Sequence, residues 1–523
     1  MGYNTIDSPY TTKPKREMPK VKSNTTYVAK TLYGLEEVLA GELEELGASN
    51  IETGRRMVRF SGDQRLLYLA NYRLRTALRI LKPIYEFKCD SIEHLYETLR
   101  YFAWDKYIRR DQTFLIDPVV YSDRFSNSRY VSYRVKDAIA DYFAENDPEG
   151  KRPSVKMDSP DVRFNVHIAQ RQVTLSLDSS GDSLHKRGYK VKQTPAPLSE
   201  ILAAGILLKA GWHGQCDLLD PMCGSGTFSI EAALIARGIA AGTWRTRYAF
   251  EEWTDFDPQL WKEIREDTDY EVPFEHHIYA SDIANDAYTV TSANVQHTGL
   301  GHDISVEHLA MQRLTPPEAP VLMVLNPPYG ERLNKYDLEA LYSMIGTELK
   351  HKYAGSKVWI IAPKSKLFHA IGLRPSSKQD LLNGDLECEL RSFELFEGKR
   401  DDYKRENSSG KGCSHPTSRP YRAKENPREG KFYDRDRGEK GSYTERRERG
   451  DSYHKREGRS NRDRFDSDSK RREFFNKDKS SVDHEQEGRP RRRIHEREAA
   501  STPRREMRPK PKSRIQVFDD SDQ

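Results

Sequence analysis

The stretch CDLLDPMCGSGTFSIEAALIARG, residues 216–238, decides the fold. CDLLD is a short apolar run that reads as a buried strand, and TFSIEAALIARG reads as a helix. Between them lies Asp220-Pro221-Met222-Cys223-Gly224-Ser225-Gly226-Thr227. Glycines at 224 and 226 let the backbone turn sharply and come close to a ligand. The helix that follows opens with N–H groups that have no intrahelical partner, and these favour a negative or polar ligand group. Asp220, at the carboxyl end of the strand, can accept hydrogen bonds or face a cation. The string lacks the GKS or GKT of a P-loop and the third glycine of the nicotinamide fingerprint. S-adenosylmethionine, which carries both an amino-acid group and a sulfonium, suits it. Asp220, Pro221, Cys223, Gly224, Gly226 and Thr227 are the candidate cofactor residues.

Outward from this loop, strand and helix signals alternate from Leu198 to Leu395. CDLLD, HIYASDI, VLMVLN and KVWIIAP read as strands. SEILAAGILLKAGW, NDAYTVTSANVQHTG and DLEALYSMIGTELKHKY read as helices. Alternation of this length predicts a doubly wound, Rossmann-like α/β domain over 184–397. A small α/β unit is expected, bounded at 25–64 and ending at the latest near 84, with strands at YVAKTL and MVRFSG and helices at GLEEVLAGELEELG and DQRLLYLANYRL. A second is expected over 65–178, with a strand TFLIDPVV, a basic helix SRYVSYRVKDAIADYFA and a hairpin of VRFNVHIA and QVTLSLD.

The ends read differently. Residues 1–24 are polar and expected to be disordered. Leu395 is the last leucine of the chain. The segment 400–523 is too charged and too poor in apolar residues to offset the entropy of ordering, so it is expected to be a disordered, basic low-complexity tail. The net charge of +5 hides a division: residues 401–523 hold 35 Lys and Arg against 26 Asp and Glu, which leaves 51 against 55 in the first 400. The folded part is not globally basic. Any grip on nucleic acid must be a local patch, with the tail, rich in Arg, Tyr, Phe, Gly and Ser, as a salt-sensitive arm for RNA.

Five scattered cysteines (Cys89, Cys216, Cys223, Cys388 and Cys413) form no CxxC pair, which argues against a zinc site and a disulfide framework. No metal is expected. The N-terminus has no apolar signal region and no stretch is long and apolar enough to span a membrane, so a cytoplasmic location without membrane contact is expected.

Two further motifs carry chemistry. Asp282 closes the strand HIYASDI, where a carboxylate can accept both ribose hydroxyls of a nucleoside cofactor. It can also cap the helix that follows. The usual gap between such an acid and the glycine loop is widened here by an insertion, Ile239 to His276. Asn326-Pro327-Pro328-Tyr329 follows the apolar strand VLMVLN. Two prolines lock the backbone, so the Asn326 side chain and the Pro327 carbonyl are fixed acceptors. They can grip both hydrogens of an exocyclic amine on a base and aim its lone pair at a methyl donor. Tyr329 offers a face on which an extruded base can stack. No tuned general base is required, because the proton can leave after the methyl arrives.

With DPMCGSGT and NPPYGERL together, the chain resembles the THUMP-containing class I RNA methyltransferases. Within them it is similar to the guanine-N2-methylating half of the RlmL/RlmKL type that acts on 23S ribosomal RNA. YGLEEVLAGELEELGA, FSNSRYVSYRVKDAI, SLDSSGDSLHKRGY, APLSEILAAGILLKAGW and FEEWTDFDPQLW carry the rest of the resemblance, over about residues 26–396. It implies a ferredoxin-like unit, a THUMP RNA-binding domain and a methyltransferase domain, and it makes the insertion a family feature. It also implies RNA contacts. The candidates are Arg124, Arg129, Arg134 and Lys136 around the basic helix, and Lys186 and Arg187 in the stretch leading to the catalytic domain. Where the family often has an acid or amide beside the cofactor adenine, this sequence aligns Ala310, so that contact is expected to be apolar or from backbone. Asn326 is expected to touch the cofactor side as well as the base. The fold is expected to stop near residue 397 and to continue as the charged tail, so only the guanine-N2 activity is expected and not that of the second half of the fused enzymes. The alternatives left open are a tRNA guanine-N2 methyltransferase, an adenine-N6 methyltransferase and a non-catalytic RNA-binding assembly factor.

Overall fold

The structure is a computed structural model that describes residues 25–396, except 126, 147–150, 196, 318–319 and 330–334. The expectations for 1–24 and for the tail, 400–523, and the residues GERL that follow NPPY, lie outside the described residues.

Residues 25–178 form one eight-stranded sheet. Its elements are β1 (Thr25–Lys30), α1 (Glu36–Glu45), β2 (Ser49–Gly54), β3 (Met57–Gly62), α2 (Gln64–Arg73), β4 (Arg79–Lys88), α3 (Ile92–Arg100), β5 (Thr113–Tyr121), α4 (Ser128–Asn146), β6 (Ser154–Val155), β7 (Val162–Ala169) and β8 (Gln172–Asp178). The strand order is β2-β3-β1-β4-β8-β7-β5-β6. β4 joins the halves, antiparallel to β1 on one side and to β8 on the other.

Within this sheet the sequence reading lacks β2, β4, β6 and α3. β2 is an edge strand exposed along most of its length, without alternating apolar residues. β4 contains Pro83, and its register against β8 shifts between Pro83 and Tyr85. A bulge of this kind breaks the two-residue period that marks a strand.

The second sheet is built from α5 (Glu200–Lys209), β9 (Leu218–Asp220), α6 (Thr227–Ala236), α7 (Pro258–Glu266), β10 (Ile278–Asp282), α8 (Asn285–Thr298), β11 (Ile304–His308), β12 (Leu322–Leu325), α9 (Lys335–Lys352), β13 (Lys357–Pro363), α10 (Leu367–Ala370), β14 (Ser377–Asn383) and β15 (Leu386–Glu394). Its order is β11-β10-β9-β12-β13-β15-β14. The ladders from β11 to β13 are parallel, and β15 runs antiparallel to both β13 and β14.

Both faces are covered. Leu322 and Val324 of β12 join one core with Ile201, Ile206 and Ile230, while Met323 and Leu325 join another with Tyr342, Ile345 and Leu349. A strand buried on both faces needs apolar residues at every position, which is why VLMVLN shows no alternation. The chain winds from β9 outward to β10 and β11, then returns to β12 on the opposite side. That reversal opens a crevice between the carboxyl ends of β9 and β12, the usual ligand position in open α/β sheets.

The insertion between α6 and β10 packs back on the N-terminal sheet. Phe250 stacks on Tyr68 of α2 with ring centroids 4.4 Å apart, and Trp261 of α7 meets Tyr72 edge-on at 5.6 Å. Among the described residues no helix is long and apolar enough to cross a membrane, and no three potential metal ligands cluster.

Candidate active site at the strand ends of the second sheet

Asp220, Asp282 and Asn326 stand at the carboxyl ends of three neighbouring parallel strands, β9, β10 and β12. Asp220 is buried. Its Oδ2 accepts a hydrogen bond from Ser229 Oγ at 2.8 Å, and its Oδ1 has no partner. Burial pushes its carboxyl up to about 7; the hydrogen bond from Ser229 opposes this and the charge of Asp282 adds to it.

The loop between β9 and α6 follows the glycine pattern. Gly224 and Gly226 have φ of 58° and 74°, a region that favours glycine. A Cβ on Gly226 would lie 2.8 Å from Thr291 Cγ2, whereas one on Gly224 would meet nothing within 4 Å. Gly226 is therefore required by packing, and Gly224 faces open space. Gly226 is also the N-cap of α6, so no side chain covers that helix end. Pro221 and Cys223 are buried. Burial raises the Cys223 thiol well above its usual range, and its Sγ lies 3.5 Å from Thr291 Oγ1. Thr227 donates from Oγ1 to the Leu198 carbonyl at 3.4 Å. The Cys223 backbone is engaged as well, its N–H donating to the Ser281 carbonyl at 3.0 Å and its carbonyl accepting from Gly226 N at 2.8 Å.

Asp282 does not cap α8, whose N-cap is Ala284 without a side-chain hydrogen bond. Oδ1 accepts from Ala284 N at 2.9 Å, a local turn bond, and Oδ2 accepts from Gly224 N at 3.0 Å. It thereby ties the glycine loop to β10. Ala310, half-buried, follows Leu309, whose N–H donates to the Asp282 carbonyl at 3.1 Å. Asn326 is half-buried, and its Oδ1 is buried without a partner. Pro327 is buried and Pro328 exposed. Tyr329 Oη accepts a hydrogen bond from Asn383 Nδ2 at 2.9 Å, which fixes the ring against β14.

Two residues that sequence reasoning missed hold this site together. Asn294, buried in α8, donates to the carbonyls of Lys192 and Ser225, both at 3.0 Å. Its Oδ1 accepts from the N–H groups of Val191 and Lys192. Thr291, one turn earlier, donates to the Gly224 carbonyl at 3.0 Å. An asparagine inside a helix is a weak signal, since it competes with the helix backbone, and nothing else in the sequence marks it.

The sites expected to meet RNA divide. Arg187 is a correction: it is 2% exposed, pairs with the buried Glu231 at 3.2 Å and donates to the carbonyls of Leu184 and Arg75. A guanidinium so enclosed cannot reach a phosphate. Its neighbour Lys186 is exposed, 3.5 Å from Asp182. Arg129 is exposed. Arg124 lies 3.4 Å from Asp90 and Lys136 3.1 Å from Asp137, while Arg134 sits over the Tyr96 ring at 4.1 Å. Tyr130 and Tyr133 on the same helix are about half exposed, at 49% and 53%, and add aromatic faces that the sequence reading did not single out.

Three family descriptions match the chain: "RlmL ferredoxin-like domain" over residues 26–81, "THUMP domain" over 89–178 and "RMKL-like, methyltransferase domain" over 187–392. The chain is 35% identical over 378 residues to "Putative RNA methyltransferase slr0064" of Synechocystis sp., covering 71% of this chain and 97% of that protein. It is similar to the solved structure of "SMU.472, a putative methyltransferase complexed with SAH", at 27% identity and a TM-score of 0.65, covering 72% of this chain and all of that one. A structure titled "a predicted N6-adenine-specific DNA methylase" from Listeria monocytogenes matches at 27% identity and a TM-score of 0.64, covering 71% and 97%. An α/β sheet with a glycine loop at its switch point, the three matched descriptions and a relative aligned along nearly its whole length lead to one conclusion: this chain belongs to the RMKL-like methyltransferases, with RlmL-type ferredoxin-like and THUMP domains ahead of the methyltransferase domain.

Proposed function

We propose that this protein transfers a methyl group from S-adenosylmethionine to the exocyclic N2 of a guanine in 23S ribosomal RNA. The observation that carries the reading is Asn326 Oδ1, a buried acceptor without a partner at the end of β12, beside the glycine loop. An unsatisfied buried acceptor is costly unless a ligand completes it. The THUMP domain and the name of the Synechocystis relative support RNA as the substrate. Similarity to the RlmL type supports guanine and the large-subunit RNA.

The residues present fit the cofactor. Asp220 Oδ1 is a second buried acceptor without a partner, suited to a cationic group. Gly224 leaves space for close approach, and the uncapped start of α6 suits a carboxylate. Asp282, whose oxygens each retain a lone pair, is assigned to the ribose, and the backbone at Ala310 to the adenine. When bound, S-adenosylmethionine supplies a methyl on a sulfonium and departs as a neutral thioether. Asn326 Oδ1 and the Pro327 carbonyl accept the two N–H groups of the base amine and draw its lone pair out of the ring. Tyr329, held by Asn383, stacks on the base. One amine proton stays at Asn326 Oδ1 until the nitrogen–carbon bond forms, then leaves to water.

The same two acceptors would grip the N6 amine of adenine, the base after which the Listeria protein is named. Nucleoside mass analysis of 23S rRNA, 16S rRNA and tRNA from a deletion strain separates the readings. N2-methylguanosine is expected to fall in 23S rRNA. Loss from tRNA alone, or of N6-methyladenine, would replace the assignment.

A further inference from the structure

Away from the strand-end crevice, one cleft gathers donors where the crevice gathers acceptors. It lies where three segments meet: residues 159–163 at the start of β7, residues 180–188 between the two sheets, and residues 244–249 of the insertion. Its volume is about 390 Å³, within the range of roughly 300–1,000 Å³ usual for ligand sites. Arg163, Lys186, Arg245 and Arg247 line it, against a single carboxylate, Asp182.

Arg245 is the centre. It is 8% exposed, and its guanidinium donates to four backbone carbonyls, those of Ser180, Asp182, Ser183 and Lys186, at 2.9–3.2 Å. These acceptors are neutral, and its Nε is buried without a partner. Its Cζ also lies 4.9 Å from the centre of the Tyr248 ring, and with no ion pair of its own among the described residues its charge adds to the positive potential of the cleft. Arg163 is likewise enclosed, with Nε buried and unmet, but its Nη1 pairs with Asp117 at 2.9 Å. Lys186 and Arg247 are more open, with side chains 61% and 40% exposed. Lys186 lies 3.5 Å from Asp182, and Arg247 lies 3.2 Å from Asp161 and 3.3 Å from Glu252. Exposed pairs of this kind stabilise by under about 1 kcal/mol, so both cations can turn towards a phosphate at small loss.

The wall of the cleft is fixed by backbone. Gly188 has φ of 93°, and a Cβ there would lie 2.3 Å from the Trp244 carbonyl. Trp244 itself is half-buried and lines the same cleft. Cations beside an aromatic face are the combination that holds unpaired nucleotides, with phosphate on the charges and base on the ring.

We infer that this cleft binds one nucleotide of the RNA substrate, its phosphodiester on the open cations Lys186 and Arg247, with the enclosed Arg245 adding charge behind them, and its base against Trp244. The inference rests on the RNA methyltransferase reading above. The site joins the end of the THUMP domain to the insertion of the methyltransferase domain, so a strand lodged there is held by both. Because carboxylates surround the outer cations, the contact positions the strand and adds modest affinity.

The test uses the full chain with unmethylated ribosomal RNA as probe, titrated at several salt concentrations. The Lys186→Ala/Arg247→Ala double variant and Trp244→Leu are compared with wild type, and binding of S-adenosylhomocysteine by calorimetry checks that each is folded. The double variant is expected to bind RNA about tenfold more weakly at low salt. Its slope of log affinity against log salt should be shallower by about 1.4, two contacts at about 0.7 each for a single strand. Trp244→Leu should weaken binding with the slope retained, and Arg247→Lys should keep the wild-type slope. Wild-type affinity and slope in the double variant would overturn the site. Thermal stabilisation of wild type but not the double variant by inorganic phosphate, with RNA binding equal in both, would make it a free-phosphate site and also overturn it. If wild type with bound cofactor methylates no RNA, the functional reading fails instead; methylation with an unaltered double variant sinks only the cleft.

Discussion

The crevice at the ends of β9, β10 and β12 and the cleft beneath Trp244 have opposite chemistry. The first holds unmet acceptors, Asp220 Oδ1 and Asn326 Oδ1; the second presents the open cations Lys186 and Arg247, with Arg163 and Arg245 enclosed behind them. Acceptors in a buried crevice suit a cationic cofactor and an amine whose lone pair must be freed to attack the methyl carbon. Donors at a domain junction suit the phosphates of a strand being steered. The difference teaches that the place where bonds change and the place where substrate is held call for polar groups of opposite sign.

The contrast is broken most severely at Asn326. Asn326→Ala should lower kcat by about 10²–10³-fold or more, the size of effect seen when one preorganised polar group is removed. Calorimetry should show S-adenosylhomocysteine binding within about threefold of wild type. Near-normal turnover would remove the side chain from the reaction.

Next comes the pair of neighbours, Lys186 and Arg187. Arg187→Ala strips the partner from buried Glu231 and should destabilise the fold by about 3–5 kcal/mol. Lys186→Ala, at an exposed site, should change stability by less than about 0.5 kcal/mol. Thermal melts of the two variants measure this directly, and equal melting points would contradict the buried placement of Arg187.

Asp282→Ala should weaken cofactor binding by about 10–30-fold, since it frees Gly224 N and Ala284 N and removes the acceptors assigned to the ribose. Binding of S-adenosylhomocysteine reads this out; unchanged affinity would leave Asp282 as a turn residue only.

The smallest effect is the pH dependence of Asp220. Its folded carboxyl stands at about 7, above the ordinary 3.8. Its contribution to stability is therefore fully present below about pH 4 and lost as pH rises through 7. Asp220→Asn should gain on wild type in denaturation midpoint between pH 5 and 8. Affinity for the cationic S-adenosylmethionine should rise with pH over 6–8 in wild type and stay flat in the variant. Parallel profiles would show that Asp220 does not face the cation.

Much of the catalytic sheet was legible because its signals are local. The glycine loop, the double-proline turn and the acid ending HIYASDI each show their conformation within a few residues, and the strand ends bring them together as a doubly wound sheet must. The first sheet was less legible. β4 carries a proline and a bulge, and β2 lies exposed at an edge, so neither shows the period of a strand. The basic residues were least legible, because burial is not written in residue type: Lys186 and Arg187 are adjacent, equally charged and differently fated.

By itself the sequence determined the class of the catalytic domain and the residues of its two motifs, since backbone freedom at Gly226 and backbone restriction at Pro327 and Pro328 are properties of single residues. Only the tertiary structure decided that β4 fuses two units into one sheet, that the insertion packs Phe250 and Trp261 against α2, and that Asn294 and Thr291 hold the glycine loop. Those contacts join residues far apart in the chain, and whether a polar atom finds a partner depends on which distant groups packing brings within about 3 Å of it.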